Sequence, residues 1–477
     1  MTAFAKFGES GLRTRYSHRS QNNNPLPDAA ALLSTVALLG AGFLVGWLAW
    51  HPPDRFLALW AIPLLWRFRW RPLPNRFLFL GYYASALFPV ATTVHEFWPR
   101  ASLGGPALAW AAGTLLLWIP WAWAAHRPQS PWRFTAALTA TALPPLGAIG
   151  LASPLFAACP TFPGLGLAGL VLSVVGLTML ATAPRRTAWV TLLLLLLAGT
   201  TANVLQTPAA HRPAPQRTAS HQRPVAPERP PRPQGIAAPQ GIAAPQGIAA
   251  PQGIAAPQGI APRQEAWVAV TTHLGRAPHT LLAWAGRNLA LRRMALDTIR
   301  LHPAGSAILF PEMIAGPWTR WSAGVWRPVA RAARERHDTV LLGAVLSDGK
   351  DRKLDVLLGL GAHPSVTAAR QPIPLSEWRP WAPGSFPASW WTFGPSRVAG
   401  HRTAVLVCYE QLLIWPTAWS FLSTTPPTLM VAVSNHGWAG PGDIEPRMQA
   451  DAAAALARLF GVPLVSASNA PAHVPRA

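Results

Sequence analysis

From Ala29 to residue 205 the chain alternates long apolar runs with short gaps that carry arginine. The runs cover Ala29–Trp50, 56–66, 77–94, 106–125, 134–156, 164–183 and 188–205. A helix that crosses a bilayer needs about 20 mostly apolar residues, and most of the runs approach or reach that length. The second is short and counts as a span only with Pro52 and Pro53 at its mouth, so the pattern predicts six or seven spans. Composition agrees: charged residues make up 12% of the chain, where a soluble domain carries about 25%.

The gaps set an orientation. Arg67, Arg69, Arg71 and Arg76 follow the second run, Arg127 and Arg133 the fourth, and Arg185 and Arg186 the sixth. The alternate gaps hold little beyond Arg55 and Arg100. Positive charge collects on the cytoplasmic side, and residues 1–28, basic through Lys6, Arg13, Arg15 and Arg19 and without a signal-peptide cleavage pattern, fall on that side too. A transmembrane domain over 29–205 then delivers everything after it outside the cytoplasm. Trp47, Trp50, Trp118, Trp121 and Trp123 suit either an interfacial aromatic belt or lipid-facing bulk. The net charge of +22 does not indicate nucleic-acid binding, because the arginines sit in gaps and a Pro-rich stretch instead of on one helix face.

Residues 206–265 read as a linker. "PQGIA" recurs at a six-residue period from Pro233, Pro239, Pro245, Pro251 and Pro257. Proline at that period blocks helix and central strand alike and leaves a partly extended spacer.

From residue 266 to 477 the pattern is that of an α/β layered domain. "AWVAVTTHL", "SAILFPEM", "TVLLGAVLSD", "TAVLVCYE", "TLMVAVSN" and "PLVSASN" read as strands. "RNLALRRMALDTIRLH", "PVARAARERH" and "EPRMQADAAAALARLFG" read as helices. The two cysteines, Cys159 and Cys408, make neither a disulfide framework nor a zinc pattern, and His273, His436 and His473 lack metal-ligand spacing, so no metal or cofactor is expected.

Three apolar strands end in polar residues. "ILFPEM" places Glu312, "VLVCYE" places Cys408 and Glu410, and "VAVSNHGW" places Asn435. Ligands of open α/β sheets bind beyond the strand carboxyl ends. A carboxylate and a thiol there are a potential base and nucleophile, since the thiolate is the reactive form and a neighbour must take its proton. Cys408 by itself reads as well as a small buried hydrophobe, Glu312 as a loop acid, and Glu410 as a structural partner of an arginine. Taken together in this order, they predict a partly exposed Cys408 with Glu312 within reach.

"FPEMIAGPW", "VCYEQL" and "SNHGW…QADAAAALARLFGVPLVSASN" resemble the nitrilase (carbon-nitrogen hydrolase) superfamily, in particular its membrane-bound branch, which includes apolipoprotein N-acyltransferase. "CYEQLLIWP" with "RQPIPLSEWRPW" looks more like the TraB family of conjugal-transfer proteins in that branch. The resemblance implies an α-β-β-α sandwich behind a multi-span membrane domain, and a Glu–Lys–Cys triad. Glu312 and Cys408 match the glutamate and cysteine, and Arg370 stands near the lysine position. Glu377 matches a further acid, and Tyr409 and Glu410 the residues after the nucleophile. Arginine keeps lysine's charge but not its shape or reach. The family pattern continues beyond "SASN", so the resemblance implies a sheet without its last strands.

Three readings stay open on this basis. One is an inner-membrane, multi-pass protein of plasmid conjugal transfer with a periplasmic nitrilase-like domain, cleaving an amide or moving an acyl group through a thioester on Cys408. The second is the lipoprotein N-acyltransferase itself, against which the arginine speaks. The third is a non-catalytic assembly factor. The partners implied are membrane lipid, a phospholipid or lipoprotein substrate, and conjugation machinery, with no direct nucleic acid. A reporter active only in the periplasm, fused after Thr207, is expected to be active; activity of a cytoplasmic reporter there would overturn span count and orientation together.

Overall fold

The computed structural model describes residues 29–51, 55–67, 75–97, 104–206, 266–349, 352–440 and 443–472. The basic N-terminus, the Pro52–Pro53 pair, the "PQGIA" segment and His473 lie outside them.

The N-terminal part is helical: α1 (Ala29–Trp50), α2 (Ala61–Arg67), α3 (Arg76–Ala86), α4 (Phe88–Phe97), α5 (Gly104–Ala125), α6 (Pro131–Ala142), α7 (Ala158–Thr161), α8 (Gly166–Thr182) and α9 (Arg185–Gln206). Among the described residues four helical stretches are long and apolar enough to cross a membrane: Leu32–Trp50, Arg76–Glu96, Gly104–Ala125 and Arg185–Val204. Two apolar helical stretches, Phe56–Arg67 and Gly166–Thr182, are shorter. The fifth apolar run is not one helix. α6 stops before Pro144 and Pro145, which cannot donate to a helical ladder, and short 3-10 turns at Leu146–Ala148 and Pro154–Ala157 carry the chain onward.

The arginine-bearing gaps do meet. Arg67, Pro128, Gln129, Pro184 and Arg185 surround one cavity at one end of the helices, where Arg67 Nη1 donates to the Leu180 carbonyl at 3.1 Å. At the other end the rings of Trp50, Phe56 and Phe156 pack within 5.1 Å of one another, and Trp60 donates to Thr161 Oγ1 at 2.9 Å. The tryptophans divide differently from either expectation. Trp50 and Trp121 are buried because their indole N–H groups find Tyr82 and Tyr83 hydroxyls, at 3.0 and 3.2 Å. Trp121 also stacks on Phe79 at 3.5 Å. Trp47 and Trp123 remain exposed.

The C-terminal part comprises β1 (Trp267–Ala269), α10 (Leu281–Leu301), β2 (Ala307–Leu309), α11 (Arg320–Glu335), β3 (Thr339–Ser347), β4 (Lys353–Gly361), β5 (Ser365–Ala368), β6 (Ser396–Val398), β7 (His401–Val407), α12 (Ile414–Phe421), β8 (Leu429–Asn435), α13 (Glu445–Phe460) and β9 (Leu464–Asn469). One sheet runs β1-β2-β3-β4-β5 and the other β6-β7-β8-β9. β1-β2-β3 and β7-β8-β9 are parallel; β4 returns antiparallel beside β3, with Ser347 opposite Lys353 and Val345 opposite Asp355.

Alternation along each strand builds the layers. Trp267, Ala269, Leu309 and Leu341 from the first sheet meet Val405, Val407, Val431 and Val465 from the second in an inter-sheet core. The alternate residues Val268, Ile308, Phe310, Val340 and Leu342 face α10 and α11 through Leu291, Ile299, Trp326 and Val329. Ala404, Leu406 and Met430 turn from the second sheet toward Leu456 and Leu459 of α13 and share a core with the N-terminal helices. The domain is an α-β-β-α sandwich whose last layer is also its dock. Tyr409 Oη donates to the Ala148 carbonyl at 3.2 Å and Trp415 Nε1 to that of Gly147 at 3.1 Å, both in the broken segment after α6. Gly164 N donates to the Arg458 carbonyl, and Thr92 and Thr93 of α4 donate to Glu445 Oε1 at 2.8 and 2.6 Å.

Close approach of α1 and α3 holds the helical part together. A Cβ on Gly81 would overlap the Leu39 carbonyl, and one on Gly42 the Leu78 carbonyl, the small-residue packing that apolar helices use when lipid offers no hydrophobic drive. Gly81→Val is expected to cost about 1–3 kcal/mol or more, read as a lower melting temperature in detergent. Gly40→Val, whose Cβ would meet open space, is expected to leave it nearly unchanged.

Candidate active site

Cys408 follows directly on β7, where the strand gives way to a 3-10 turn, Cys408–Leu412. It sits at φ +47°, a conformation that costs a non-glycine residue about 1–3 kcal/mol. The carboxylate of Glu410 holds it there. Its oxygens accept from Val407 N at 3.0 Å and Gln371 N at 2.8 Å, and also from Arg370 N. Glu410 thus joins the end of β7 to the loop after β5, and it does not line the cavity into which the thiol opens.

That cavity has a volume of about 570 Å³ and is bounded by Glu312, Glu377, Cys408 and Asn435, with Arg276, His279 and Lys353 among its other residues. Glu312 reaches it from the turn after β2. Behind that turn Gly343 is required, because a Cβ would strike the Pro311 carbonyl and Glu312 Cα. Asn435 Nδ2 donates to the Glu312 carbonyl at 3.2 Å. Asn469 in turn donates to Asn435 Oδ1 at 2.8 Å and accepts from Thr272 and Leu274, so the ends of β8 and β9 and the segment after β1 share one network. Strand ends therefore bring Glu312, Cys408 and Asn435 together at one cavity, where the Glu312 carboxylate and the Cys408 thiol act on each other's proton affinity. Cys408 is buried, at 4% exposed, and not partly exposed as its sequence context predicts, since Glu312, Gln449 and the loop after β5 close around it. Gln449 Nε2 lies 4.0 Å from its sulfur and Gln449 Oε1 2.9 Å from His436 Nε2.

Arg370 is placed elsewhere. Its guanidinium donates to the Thr392 carbonyl at 3.2 Å, Ser420 Oγ at 3.0 Å and the Gly394 carbonyl at 2.9 Å, and it is not among the residues bounding the cavity. Tyr409 points to the helical part. Two residues near the thiol are not singled out in the sequence: Gln449, on the inner face of α13 and at the start of the segment "QADAAAALARLFG", and Asp355, in the middle of the return strand β4.

The site's electrostatics follow from a shortage of cations. Glu312 Oε2 and both oxygens of Asp355 have no donor from the protein other than each other. Two buried carboxylates in contact can satisfy one another only by sharing a proton. Burial, then the charge of Glu377, pushes Glu312 up to about 8. Asp355 is raised by burial and by Glu312 and Glu377. Burial pushes Glu377 up to about 7, although its Oε2 accepts from Ile373 N at 3.0 Å. The Cys408 thiol is raised by burial, then by Glu312 and Glu377. At neutral pH these groups by themselves leave both acid and thiol protonated.

A second cavity, of about 360 Å³, also ends at Cys408. Leu87, Val90, Trp110 and Leu116 line it from α4, α5 and the residue before α4, and Leu375, Trp378 and Trp381 from the loop after β5.

No family model matches the chain. It is 26% identical over 446 residues to a probable conjugal transfer protein TraB of Sinorhizobium fredii, covering 90% of this chain and 96% of that protein. Conjugal transfer protein TraB of Agrobacterium fabrum is 36% identical over 169 residues, 34% of this chain and 38% of that protein. Among solved structures, a carbon-nitrogen hydrolase from Helicobacter pylori aligns with TM-score 0.31 at 11% identity, over 41% of this chain and 71% of that one. A mutant of the Nesterenkonia AN1 amidase from the nitrilase superfamily aligns with TM-score 0.32 at 16% identity, over 44% and 79%. The chain resembles the TraB conjugal-transfer proteins.

The raised carboxylates have a consequence for stability. Glu312 and Glu377 hold protons more tightly folded than unfolded, so unfolding releases protons between the ordinary glutamate value of 4.5 and their raised values. Their contribution is complete below about 4.5 and is lost as pH rises through about 7 and 8. The melting temperature in detergent is expected to fall across that interval, and Glu377→Gln to flatten the fall; equal slopes for the two proteins would contradict the assignment.

Proposed function

We propose that this chain is a TraB-type, nitrilase-like protein of the bacterial inner membrane that acts in plasmid conjugal transfer. In this reading its C-terminal domain lies in the periplasm and forms a thioester on Cys408 with an acyl group drawn from membrane lipid. One observation carries the proposal: Cys408 lies at the meeting point of two cavities, one edged by carboxylates and one walled by apolar helices. A thiol needing only an amide from water has no use for the second. An acyl chain lying between α4, α5 and the loop after β5 would bring its carbonyl carbon to the sulfur.

The reaction balances with the groups present. Glu312 takes the Cys408 proton, the sulfur attacks the donor's carbonyl carbon, and Glu312 returns the proton to the departing alkoxide. Water or an amine then attacks the thioester, gives its proton to Glu312, and the sulfur leaves and recovers a proton. Glu312 must be ionised at the first step, which its buried, acid-lined surroundings oppose. That opposition, with Arg370 turned away, is the observation behind the rival reading, an assembly factor that keeps the fold as a binding surface.

Mass spectrometry of the full-length protein from membranes separates the two. The proposed function predicts a fatty-acyl adduct on the Cys408 peptide that neutral hydroxylamine removes. Cys408→Ala should abolish it, and Glu312→Gln should slow its formation by about a hundredfold or more while the protein still folds. Wild-type protein from lipid-replete membranes that never carries an acyl group would leave the assembly factor standing.

A further inference from the structure

Glu312 and Glu377 border the outer cavity, Asp355 is buried beside Glu312, and among the described residues none of the three has an ion pair. Of the cationic groups around the cavity, Arg276 is committed: it pairs with Glu96 at 2.6 Å and donates to the Trp438 carbonyl at 3.1 Å. His279 stands on the loop before α10. Lys353 opens β4 and borders the same cavity, and among the described residues its ammonium has no hydrogen bond or ion pair.

Register decides what Lys353 can reach. Lys353 and Asp355 are two apart on β4, so their side chains leave the same face of the strand. Leu357, two residues further along β4, lies in the inter-sheet core, so Lys353 and Asp355 leave the strand on the face turned to the space between the sheets. Two residues along a strand span about 7 Å, a distance a flexible four-carbon stem ending in a compact ammonium can cover. Lysine is also sparse here: besides Lys353 the sequence has only Lys6 and Lys350.

We propose that Lys353 is the cation of this site, its ammonium turning in from the rim toward Asp355 and Glu312. The proton shared by Asp355 and Glu312 then leaves to solvent, and Glu312 is free to take the Cys408 proton. Lys353 acts through Glu312 and is a positioning residue. The other titratable groups facing Glu312 are Asp355 on β4, Glu377 in the loop after β5 and the Cys408 thiol; Glu410 behind the nucleophile turn is held by backbone amides, and His436 beyond Gln449 is pushed down by burial. The proposal rests on Cys408 and Glu312 acting as nucleophile and base.

The test is the pH dependence of Cys408 alkylation by iodoacetamide in the detergent-solubilised full-length protein, followed by peptide mapping to separate it from Cys159. Lys353→Met should move the midpoint up by about one pH unit, about a tenfold slower reaction at pH values well below the wild-type midpoint. Lys353→Arg should recover most of the shift. Adding Asp355→Asn to Lys353→Met should move the midpoint back down, because one fewer carboxylate competes for charge. A merely structural Lys353 would alter melting temperature or plateau rate and leave the midpoint in place, and superimposable profiles for wild type and Lys353→Met would overturn the proposal. If Cys408 proves unreactive in every protein, the thioester reading fails separately, and an infrared titration of the carboxyl bands decides Lys353 alone: more protonated carboxyl near neutral pH in Lys353→Met supports it, and equal bands refute it.

Discussion

The turn Cys408–Leu412 is the point on which the rest depends, because its consecutive side chains are tied to different parts of the molecule. Cys408 opens into the cavity, and Tyr409 reaches back to the Ala148 carbonyl of the helical part. Glu410 draws in the amides of 370, 371 and 407, while Gln411 donates to the Val433 carbonyl of β8. A left-handed residue at the end of a parallel strand persists only when its surroundings over-determine it, and here three directions of pull do so. The strain that opens the thiol to the cavity is therefore maintained jointly by β8, the loop after β5 and the docked helices.

The same construction explains the site's charge. Burying Glu312 and Asp355 together leaves Glu312 Oε2 and both Asp355 oxygens without protein donors, and a buried unpaired carboxylate is costly enough that the group keeps its proton. The fold gives up a ready base for enclosure. A site of this kind becomes competent only when something positive arrives or when a ligand rearranges its water, so chemistry is coupled to occupancy by electrostatics without any large movement of the backbone.

Much of this was legible in the sequence, and the failures have identifiable causes. Glu312, Cys408 and Asn435 each follow an apolar strand, and parallel strands bring their carboxyl ends to one edge, so order along the chain becomes proximity in space. Asp355 lies mid-strand and acquires its place only from the antiparallel register of β3 and β4, which no local pattern encodes. Arg370 misled through a one-residue difference. Ala369 lies in the inter-sheet core beside Cys408, and the next side chain along an extended backbone leaves by the opposite face, where Thr392, Gly394 and Ser420 take it. The fifth apolar run fails as a helix because hydropathy is blind to Pro144 and Pro145, and Trp50 and Trp121 fail as an interfacial belt because Tyr82 and Tyr83 supply buried acceptors that composition does not place.

That broken run also gives the two parts a common purpose. A continuous helix would have spent its carbonyls internally; the break leaves those of Gly147 and Ala148 free to accept from Trp415 and Tyr409. With Glu445 held by Thr92 and Thr93, and Arg276 by Glu96, polar contacts pin the sandwich to α4 and to the residues after α6. The apolar cavity at Cys408 draws one wall from α4 and α5 and the other from the loop after β5, so neither part encloses it alone. Orientation of the sandwich on the helices is thus fixed by this dock.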